Sequence, residues 1–340
     1  MNSVAPIKNR APSLSGFIVI GTITLAVLAL GIFLAINDPR SPSTLLSIFA
    51  TRFLGILIEA LPFLVLGTLV SGLIEAFVRQ EDVLRWLPRN RYLATIGGAF
   101  MGLIFPVCEC GVVPVARRLF TKGLPVSVGV AFLLAAPFMN PIVFASTFIA
   151  FGFGPIFILR FVVTAVVAIT IGLIFATNSQ PETLLQPASW QNEVLHGGPR
   201  RNWRDGLKRT LSVASNEFFE MGRYLYVGCL LASAMQTFVP QEALLAVGTG
   251  PILSVFIMQV LAFILSICST VDSFFVLAFV NTFTMGSVVS FLTFGPMVDI
   301  KSTMMFMGVF KRRTVLYLIL LPFVLNLLAG VLINALGGFF

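Results

Sequence analysis

Apolar runs of about 20 residues recur along the chain, and short polar or charged segments separate them. A run of that length crosses the hydrocarbon core of a bilayer as an α-helix. The first run, Gly16–Ile36, lacks an A-x-A-like cleavage site, which favours a retained helix over a signal peptide. Further apolar stretches follow at 45–78, 92–106, 124–150 and 156–176. The pattern predicts an all-α, polytopic membrane protein with roughly 8–11 membrane helices.

Composition supports this class. Hydrophobic residues make up 57% of the chain and charged residues 11%, and the mean hydropathy is +0.98, whereas soluble domains are about a quarter charged. We attribute the net charge of +8 to membrane topology and expect no nucleic-acid partner. The sequence contains no nucleotide-binding loop, GxSxG or HExxH motif, and its single histidine, His196, lies in a polar region. We therefore predict no enzyme activity, no cofactor and no bound metal.

The second half of the chain resembles the first. The segment LIEAFVRQE (73–81) matches ASAMQTFVPQE (232–242) in its FVxQE ending, and further landmarks recur in the same order. These landmarks pair Glu59 with Glu220, Gly67 with Gly228, Cys108 with Cys268, Pro137 with Pro296, and Asn140 with Asp299. An internal repeat is a strong indication of architecture. We predict an amino-terminal region with the first membrane helix (1–43), repeat 1 (44–177), a basic cytoplasmic loop (178–210) and repeat 2 (211–340).

Basic charge predicts how the repeats are oriented. Arg79–Arg91, Arg117–Lys122 and the loop around Arg200 are basic, and basic loops are typically cytoplasmic. The second-half counterparts of the first two lack Lys and Arg, whereas Lys311–Arg313 lies near the counterpart of an uncharged turn. Basic charge therefore changes sides between the halves, as in an inverted-topology repeat. We predict a multi-pass protein of the plasma (inner) membrane, with its amino terminus cytoplasmic and its carboxyl terminus outside.

The segment FPVCECGVVP (105–114) carries the first candidate site. Because the segment between Arg91 and Arg117 is too short for two full spans, we expect it to enter the membrane and return, with CECG near its tip. Pro106, Gly111 and Pro114 are expected to interrupt helix there.

The two cysteines of that segment, Cys108 and Cys110, can converge in a turn and form a soft site for metals or trivalent metalloids. Glu109 between them can accept a displaced proton or attract a cation. A buried cysteine is otherwise simply a small apolar residue, which is our interpretation of Cys229. At the matching tip of the second half we place Cys268 and Asp272, and we predict that the tips and the broken helices of both halves meet near the midplane and bind the substrate.

The segment APFMNP (136–141) carries the second candidate site. Pro137 and Pro141, with Asn140 between them, are expected to unwind a membrane helix, so that free carbonyls and the Asn140 amide can bind substrate. The matching segment GPMVD (295–299) places Asp299 where the first half has the amide. Paired discontinuous helices are the best sequence indication of a transport site, although a plain proline kink is the simpler alternative.

Two acidic residues lie within apolar runs. Glu59 and Glu220 are candidates for carrying protons coupled to transport, because intramembrane acids are costly and are usually functional. Structural ion pairs, with Arg52 for Glu59 and with Arg223 for Glu220, are an equally supported alternative. Arg160 is expected to extend its guanidinium to the membrane interface.

The stretches FPVCECGVVPVARRL and LLAAPFMNPIVFAS resemble the predicted permease family that includes the YraQ group and the ArsP-like organoarsenical efflux permeases. The resemblance extends from about Leu45 to the carboxyl end. It implies a polytopic plasma-membrane permease, and in one branch export of trivalent organoarsenicals, for which Cys108, Cys110 and Asn140 are the matching candidates.

Together these observations predict a secondary transporter that exports a small, soft substrate, with protons as coupling ion. Its partners would be a small-molecule or metalloid substrate and the lipid bilayer, and a homo-oligomer is allowed. Two alternatives remain: a membrane-embedded thiol redox or sulfur-handling protein, and a non-catalytic subunit of a membrane complex that docks through its basic loop.

Overall fold

The computed structural model describes residues 42–88, 90–103, 107–176, 184–185, 203–238, 250–280 and 282–337. The predicted first membrane helix, Gly16–Ile36, and His196 lie outside these residues, as do Pro106 and most of the predicted basic loop. That loop was predicted to reach residue 210, but a helix already begins at Trp203.

The described residues form thirteen α-helices, with one isolated bridge between Leu185 and Phe310. In chain order the helices are α1 (Pro42–Phe77), α2 (Gln80–Trp86), α3 (Arg91–Phe100), α4 (Glu109–Thr121), α5 (Val126–Ala135), α6 (Pro141–Phe151), α7 (Pro155–Ala176), α8 (Trp203–Phe238), α9 (Leu253–Leu265), α10 (Asp272–Leu277), α11 (Met285–Phe294), α12 (Ile300–Val309) and α13 (Arg312–Leu336). Three of them, α1, α7 and α13, are long and apolar enough to cross a membrane, and α5, α6, α9 and α11 are shorter apolar helices. The predicted class, an all-α polytopic membrane protein, is confirmed.

Within the described residues the two halves share most of a series of elements, although α2 of the first half has no counterpart in the described part of the second. Each begins with a helix of 36 residues, α1 or α8, and these two helices pack extensively against each other. Helices α3, α5 and α7 then pack together in the first half, as α9, α11 and α13 do in the second. Between the halves, α4 contacts α12 and α6 contacts α10. The inverted relation of the halves across the membrane stays a prediction.

Each half has two short segments at or between helix ends, to which we give names. The first tip is Cys108–Cys110, at the start of α4, and the first break, residues 136–140, separates α5 from α6. The second tip, residues 266–271, links α9 to α10, and the second break, residues 295–299, separates α11 from α12. The second tip begins at Ser266, whose left-handed backbone (φ 48°) ends α9.

Both breaks end in a helix cap. The side chain of Asn140 accepts a hydrogen bond from the backbone N–H of Ile142 at 3.0 Å, and Pro141 is the first residue of α6. Asp299 caps α12 by accepting from the N–H of Ser302 at 2.6 Å. A cap residue with extended backbone ends one segment and starts the next, so the predicted interruption at each of these prolines and polar residues is confirmed.

The first tip differs from the expectation. Gly111 and Pro114 were predicted to interrupt helix, but both lie inside α4. A Cβ at Gly67 of α1 would lie 2.4 Å from the Gly111 Cα, so the two glycines let the backbones of α1 and α4 come close. Pro114 has no N–H to donate to the carbonyl of Cys110 four residues earlier, so the helix is locally weakened without being broken.

The basic segment Arg117–Lys122 also differs from expectation, since it is not a solvated loop. Arg117 and Arg118 lie in α4 and are buried. Arg118 pairs with Glu75 of α1 and Glu217 of α8, and Arg117 pairs with Glu220 of α8. These ion pairs hold α4 against α1 and α8. Paired, buried arginines are not the exposed loop charges on which the positive-inside rule rests, so they do not indicate which side of the membrane this segment faces.

Candidate functional site

A small pocket between the two halves brings together most of the chemistry found in the sequence. Its empty volume is ≈ 180 Å³. It is lined by Glu59, Ala60 and Phe63 of α1, Cys108, Glu109 and Cys110 of the first tip, Cys268 of the second tip, and Lys301 of α12.

Three thiols border the pocket. Cys108 occupies the N-cap position of α4, and Cys110 is the second residue of that helix. The thiol of Cys268, from the other half, donates to Oε2 of Glu109 at 3.8 Å. All three cysteines are buried and free of disulfides. The structure therefore places the cysteines of both tips at one pocket.

Glu109 also faces a buried cation. Its Oε1 lies 3.6 Å from Nζ of Lys301, and the same ammonium lies 3.6 Å from Oδ2 of Asp299. The Lys301 side chain is only 2% exposed. A buried charge is tolerated when an opposite charge compensates it, and here one lysine is shared by two carboxylates from different halves.

The two predicted proton carriers lie in different places. Glu59 lines the pocket and is half-buried. Glu220 instead forms an ion pair with Arg117 at 3.0 Å, and its side chain is 35% exposed. Arg52, proposed as the partner of Glu59, donates to the carbonyl of Gln236. Only Glu59 thus shares the pocket with the thiols.

The first break is near the second tip rather than in the pocket lining. The carbonyl of Pro137 accepts a hydrogen bond from the hydroxyl of Ser269 at 3.2 Å. Asn140 uses its side chain as the cap of α6. Of the predicted substrate-binding residues, Pro137, Asn140 and Pro141 are therefore structural in this conformation, and their role in binding stays a prediction.

Arg160 and Asp272 form the clearest departure from expectation. Arg160 was expected to reach the membrane interface, yet it is 0% exposed. Its Nη2 contacts both carboxylate oxygens of Asp272, at 3.0 and 2.8 Å. Asp272 was predicted to bind substrate, but here it is occupied by the arginine. The Arg160 side chain can be buried between the halves because the carboxylate of Asp272, at the start of α10, compensates the charge of its guanidinium.

Lys301 was missed by the sequence analysis. The sequence does show a lysine two residues after Asp299 within an apolar region. A charged side chain is costly there and normally pairs with an opposite charge, which marks Lys301 as a candidate functional residue. The partner, Glu109, is 192 positions earlier in the chain, and no local pattern connects the two.

The arrangement suits a soft electrophile. Among the described residues, no group of three or more His, Cys, Asp or Glu side chains is arranged to hold a metal ion. The pocket instead offers thiols as nucleophiles, a carboxylate that can take up a thiol proton, and an ammonium that can balance the charge. Such a site can bind a thiol-reactive molecule reversibly.

Comparisons with known proteins agree with the fold. The model of a family described as predicted permease, ArsP_1, matches residues 45–335. The chain is 43% identical over 283 residues to the UPF0718 protein YcgR of Bacillus subtilis, which covers 83% of this chain and 95% of that protein.

Two other relatives are also similar to this chain, and one of them is named as a membrane permease subunit. A Streptococcus mutans protein named as a subunit of a two-component membrane permease complex is 39% identical over 81% of this chain and 91% of its own length. The UPF0718 protein YraQ of Escherichia coli is 29% identical over 94 residues, or 27% of each chain. No solved structure shows a significant match.

Proposed function

This chain belongs to the predicted permease family and is a multi-pass membrane permease, and from that premise we propose that it exports a small thiol-reactive substrate of the trivalent organoarsenical class. The observation that carries the proposal is the convergence of Cys108, Cys110 and Cys268 on one pocket between the halves. Thiols are soft ligands, and trivalent arsenic is a soft centre.

Binding would proceed by ligand exchange without change of oxidation state. Each arsenic–hydroxyl bond is replaced by an arsenic–sulfur bond, and the thiol proton leaves with the hydroxide as water. Glu109 is placed to pass that proton, since it already accepts a hydrogen bond from the Cys268 thiol. Release would be the reverse reaction, with water returning a proton to each sulfur.

We further propose that Glu59 carries the coupled proton. It borders the pocket, whereas Glu220 is held by Arg117 outside it. When a carboxylate lies at a substrate site, its protonation and the binding of the substrate affect each other, which couples proton movement to transport.

The thiol role is tested by measuring methylarsenite accumulation in a sensitive host. Cells expressing Cys108→Ser or Cys110→Ser should accumulate it as cells without the permease do. Cys229→Ser is the matched control, because Cys229 is buried in α8 and is absent from the pocket lining. Efflux by both tip variants at the rate of Cys229→Ser would end the proposal.

The proton role requires a second assay. In inverted vesicles, Glu59→Gln should abolish the dependence of flux on an imposed pH gradient, while Glu220→Gln should retain it. The opposite result would assign coupling to Glu220.

The topology is tested by impermeant thiol labelling in a cysteine-free background. Lys208 and Arg312 are both exposed. An inverted arrangement with a cytoplasmic amino terminus and an external carboxyl terminus requires Lys208→Cys and Arg312→Cys both to label from the inside, because α13 would cross the membrane outward from Arg312. Labelling of the two cysteines from opposite faces of the plasma membrane would contradict it.

A second function is favoured by the name of the Streptococcus mutans relative. The chain would then be one subunit of a two-component permease complex, docked through the basic region 178–210. Co-purification of a stoichiometric partner, lost on deletion of residues 186–200, would support it. Methylarsenite efflux by the purified chain alone in liposomes would show that no second component is required.

A further inference from the structure

Arg160 joins the two halves at a point that the transport proposal does not use. It projects from α7 of the first half and contacts the second half at the start of α10. Besides its two bonds to Asp272, it donates to the hydroxyl of Ser273 at 2.6 Å and to the carbonyl of Ser269 at 3.1 Å. Thr147 of α6 completes the set, accepting from Nη1 at 3.0 Å.

These contacts fix the second tip in position. The carbonyl of Cys268 accepts the backbone N–H groups of Val271 and Asp272, both at 3.0 Å, so the tip is a tight turn. On its other side, the hydroxyl of Ser269 donates to the carbonyl of Pro137 in the first break. The turn is thus held by Arg160 at the two residues Ser269 and Asp272.

Cys268 belongs to this turn, directly before Ser269. Its thiol lies on the pocket side, where it faces Glu109 at 3.8 Å. The backbone of Cys268 cannot shift without moving Ser269 and Asp272, which Arg160 holds.

We propose that Arg160 is a positioning residue for substrate binding, which holds Cys268 in the pocket as a third sulfur beside Cys108 and Cys110. The inference rests on the proposed function, because it assumes that the pocket thiols bind the substrate. Two thiols held close together bind one electrophile with a high effective concentration, and loosening one of them lowers that concentration.

The test compares thiol pairs within one half and across the halves. Phenylarsine oxide bridges two neighbouring thiols, and bridging protects them from maleimide labelling, which mass spectrometry quantifies at each cysteine. All variants carry Cys229→Ser. Cys268→Ser leaves the same-half pair Cys108 and Cys110, whereas Cys108→Ser or Cys110→Ser leaves a cross-half pair with Cys268.

Each background is combined with two changes at Arg160. Arg160→Lys keeps the charge but cannot reproduce the planar, bidentate contact with Asp272. The double variant Arg160→Met with Asp272→Leu removes both charges, so that no unpaired charge is buried and folding is preserved.

We expect the phenylarsine oxide concentration that gives half-protection to rise roughly tenfold to a hundredfold for the cross-half pair in both Arg160 variants. The same-half pair, which lies on α4, should be unaffected. The inference is overturned if cross-half protection is absent in the parent, if it does not depend on Arg160, or if both pairs lose protection equally, which would show a general structural role.

The outcomes separate this inference from the proposed function. If methylarsenite efflux depends on Cys108 and Cys110 but bridging does not depend on Arg160, only the positioning role fails. If efflux is independent of the tip cysteines, the proposed substrate fails, while the bridging assay still reports whether Arg160 positions Cys268.

Discussion

The protein makes the same contact between its halves twice, with different chemistry. In one contact, which we call the closed crossing, the second tip meets the first break, and Arg160 binds Asp272 at 2.8 Å with hydrogen bonds to its neighbours. In the other, the open crossing, the first tip meets the second break, and Lys301 lies 3.6 Å from Glu109 and from Asp299. The pocket lies at the open crossing.

The difference between the two cations teaches how two similar contacts can have different mechanical properties. A planar guanidinium can satisfy a carboxylate and several oxygens at once, whereas an ammonium is a compact point charge with looser geometry. The arginine therefore suits a crossing that stays dry and fixed. The lysine, at longer distances and beside three thiols, suits a crossing that exchanges partners when a substrate enters.

The largest expected effect is a difference in the free energy of unfolding between variants of Arg160 and variants of Lys301. Arg160→Met leaves Asp272 buried and unpaired and should lower the free energy of unfolding by about 3–5 kcal/mol. Lys301→Met removes the cation that Glu109 and Asp299 share and should cost about 1–3 kcal/mol, because its contacts at 3.6 Å are looser than the 2.8 Å contact of Arg160 with Asp272. Unfolding in mixed detergent, followed by circular dichroism, measures both. Equal losses would remove the distinction between a closed and an open crossing.

The close approach of α1 and α4 should be nearly as sensitive. In Gly67→Ala the new methyl group would lie 2.4 Å from the Gly111 Cα and 2.6 Å from its carbonyl oxygen, so α4 and the first tip must shift. We expect a loss of about 1–3 kcal/mol and weaker methylarsenite efflux.

Gly55→Ala on the same helix is the control for that change. Nothing lies within 4 Å of its Cβ position, so stability should be unchanged or slightly improved, as expected of alanine in a helix. If the two substitutions behaved alike in unfolding and efflux assays, the glycine contact would not position the first tip.

The capping residues of the two breaks should differ in what they affect. Asn140→Ala removes the cap of α6 and should cost about 1 kcal/mol. Asp299→Asn retains a capping oxygen for α12 but removes one of the two charges that share Lys301, so it should alter efflux more than stability. Thermal unfolding and efflux measured on both variants give the comparison, and an efflux defect confined to Asn140→Ala would contradict it.

The smallest effect is expected outside both crossings. Glu220→Gln breaks a partly exposed ion pair with Arg117, and such pairs contribute less than about 1 kcal/mol. Unfolding should therefore barely change, and efflux should remain. A loss comparable with that of Arg160→Met would mean that the contact between α4 and α8 is as important as the closed crossing.

The sequence identified the polar residues but led to wrong expectations for three arginines. Arg160 was assigned to the membrane interface because a long basic side chain in an apolar run usually extends to the headgroups. Its partner Asp272 comes 112 positions later, so no local pattern could reveal the pair. The sequence likewise places Arg117 and Arg118 in a basic cytoplasmic loop. The glutamates that pair with them lie far away in the chain, on α1 and α8, so no local pattern reveals these ion pairs.

The sequence by itself determined the membrane class and the breaks at Pro137–Asn140 and Pro296–Asp299, because hydropathy, proline and capping act over a few residues. Only the tertiary structure decided which tip faces which break, that Glu109 contacts both Cys268 and Lys301, and that Lys301 rather than Arg160 borders the pocket. Those outcomes depend on contacts between the halves, and the pairing of buried charges is set by where the backbones meet in space.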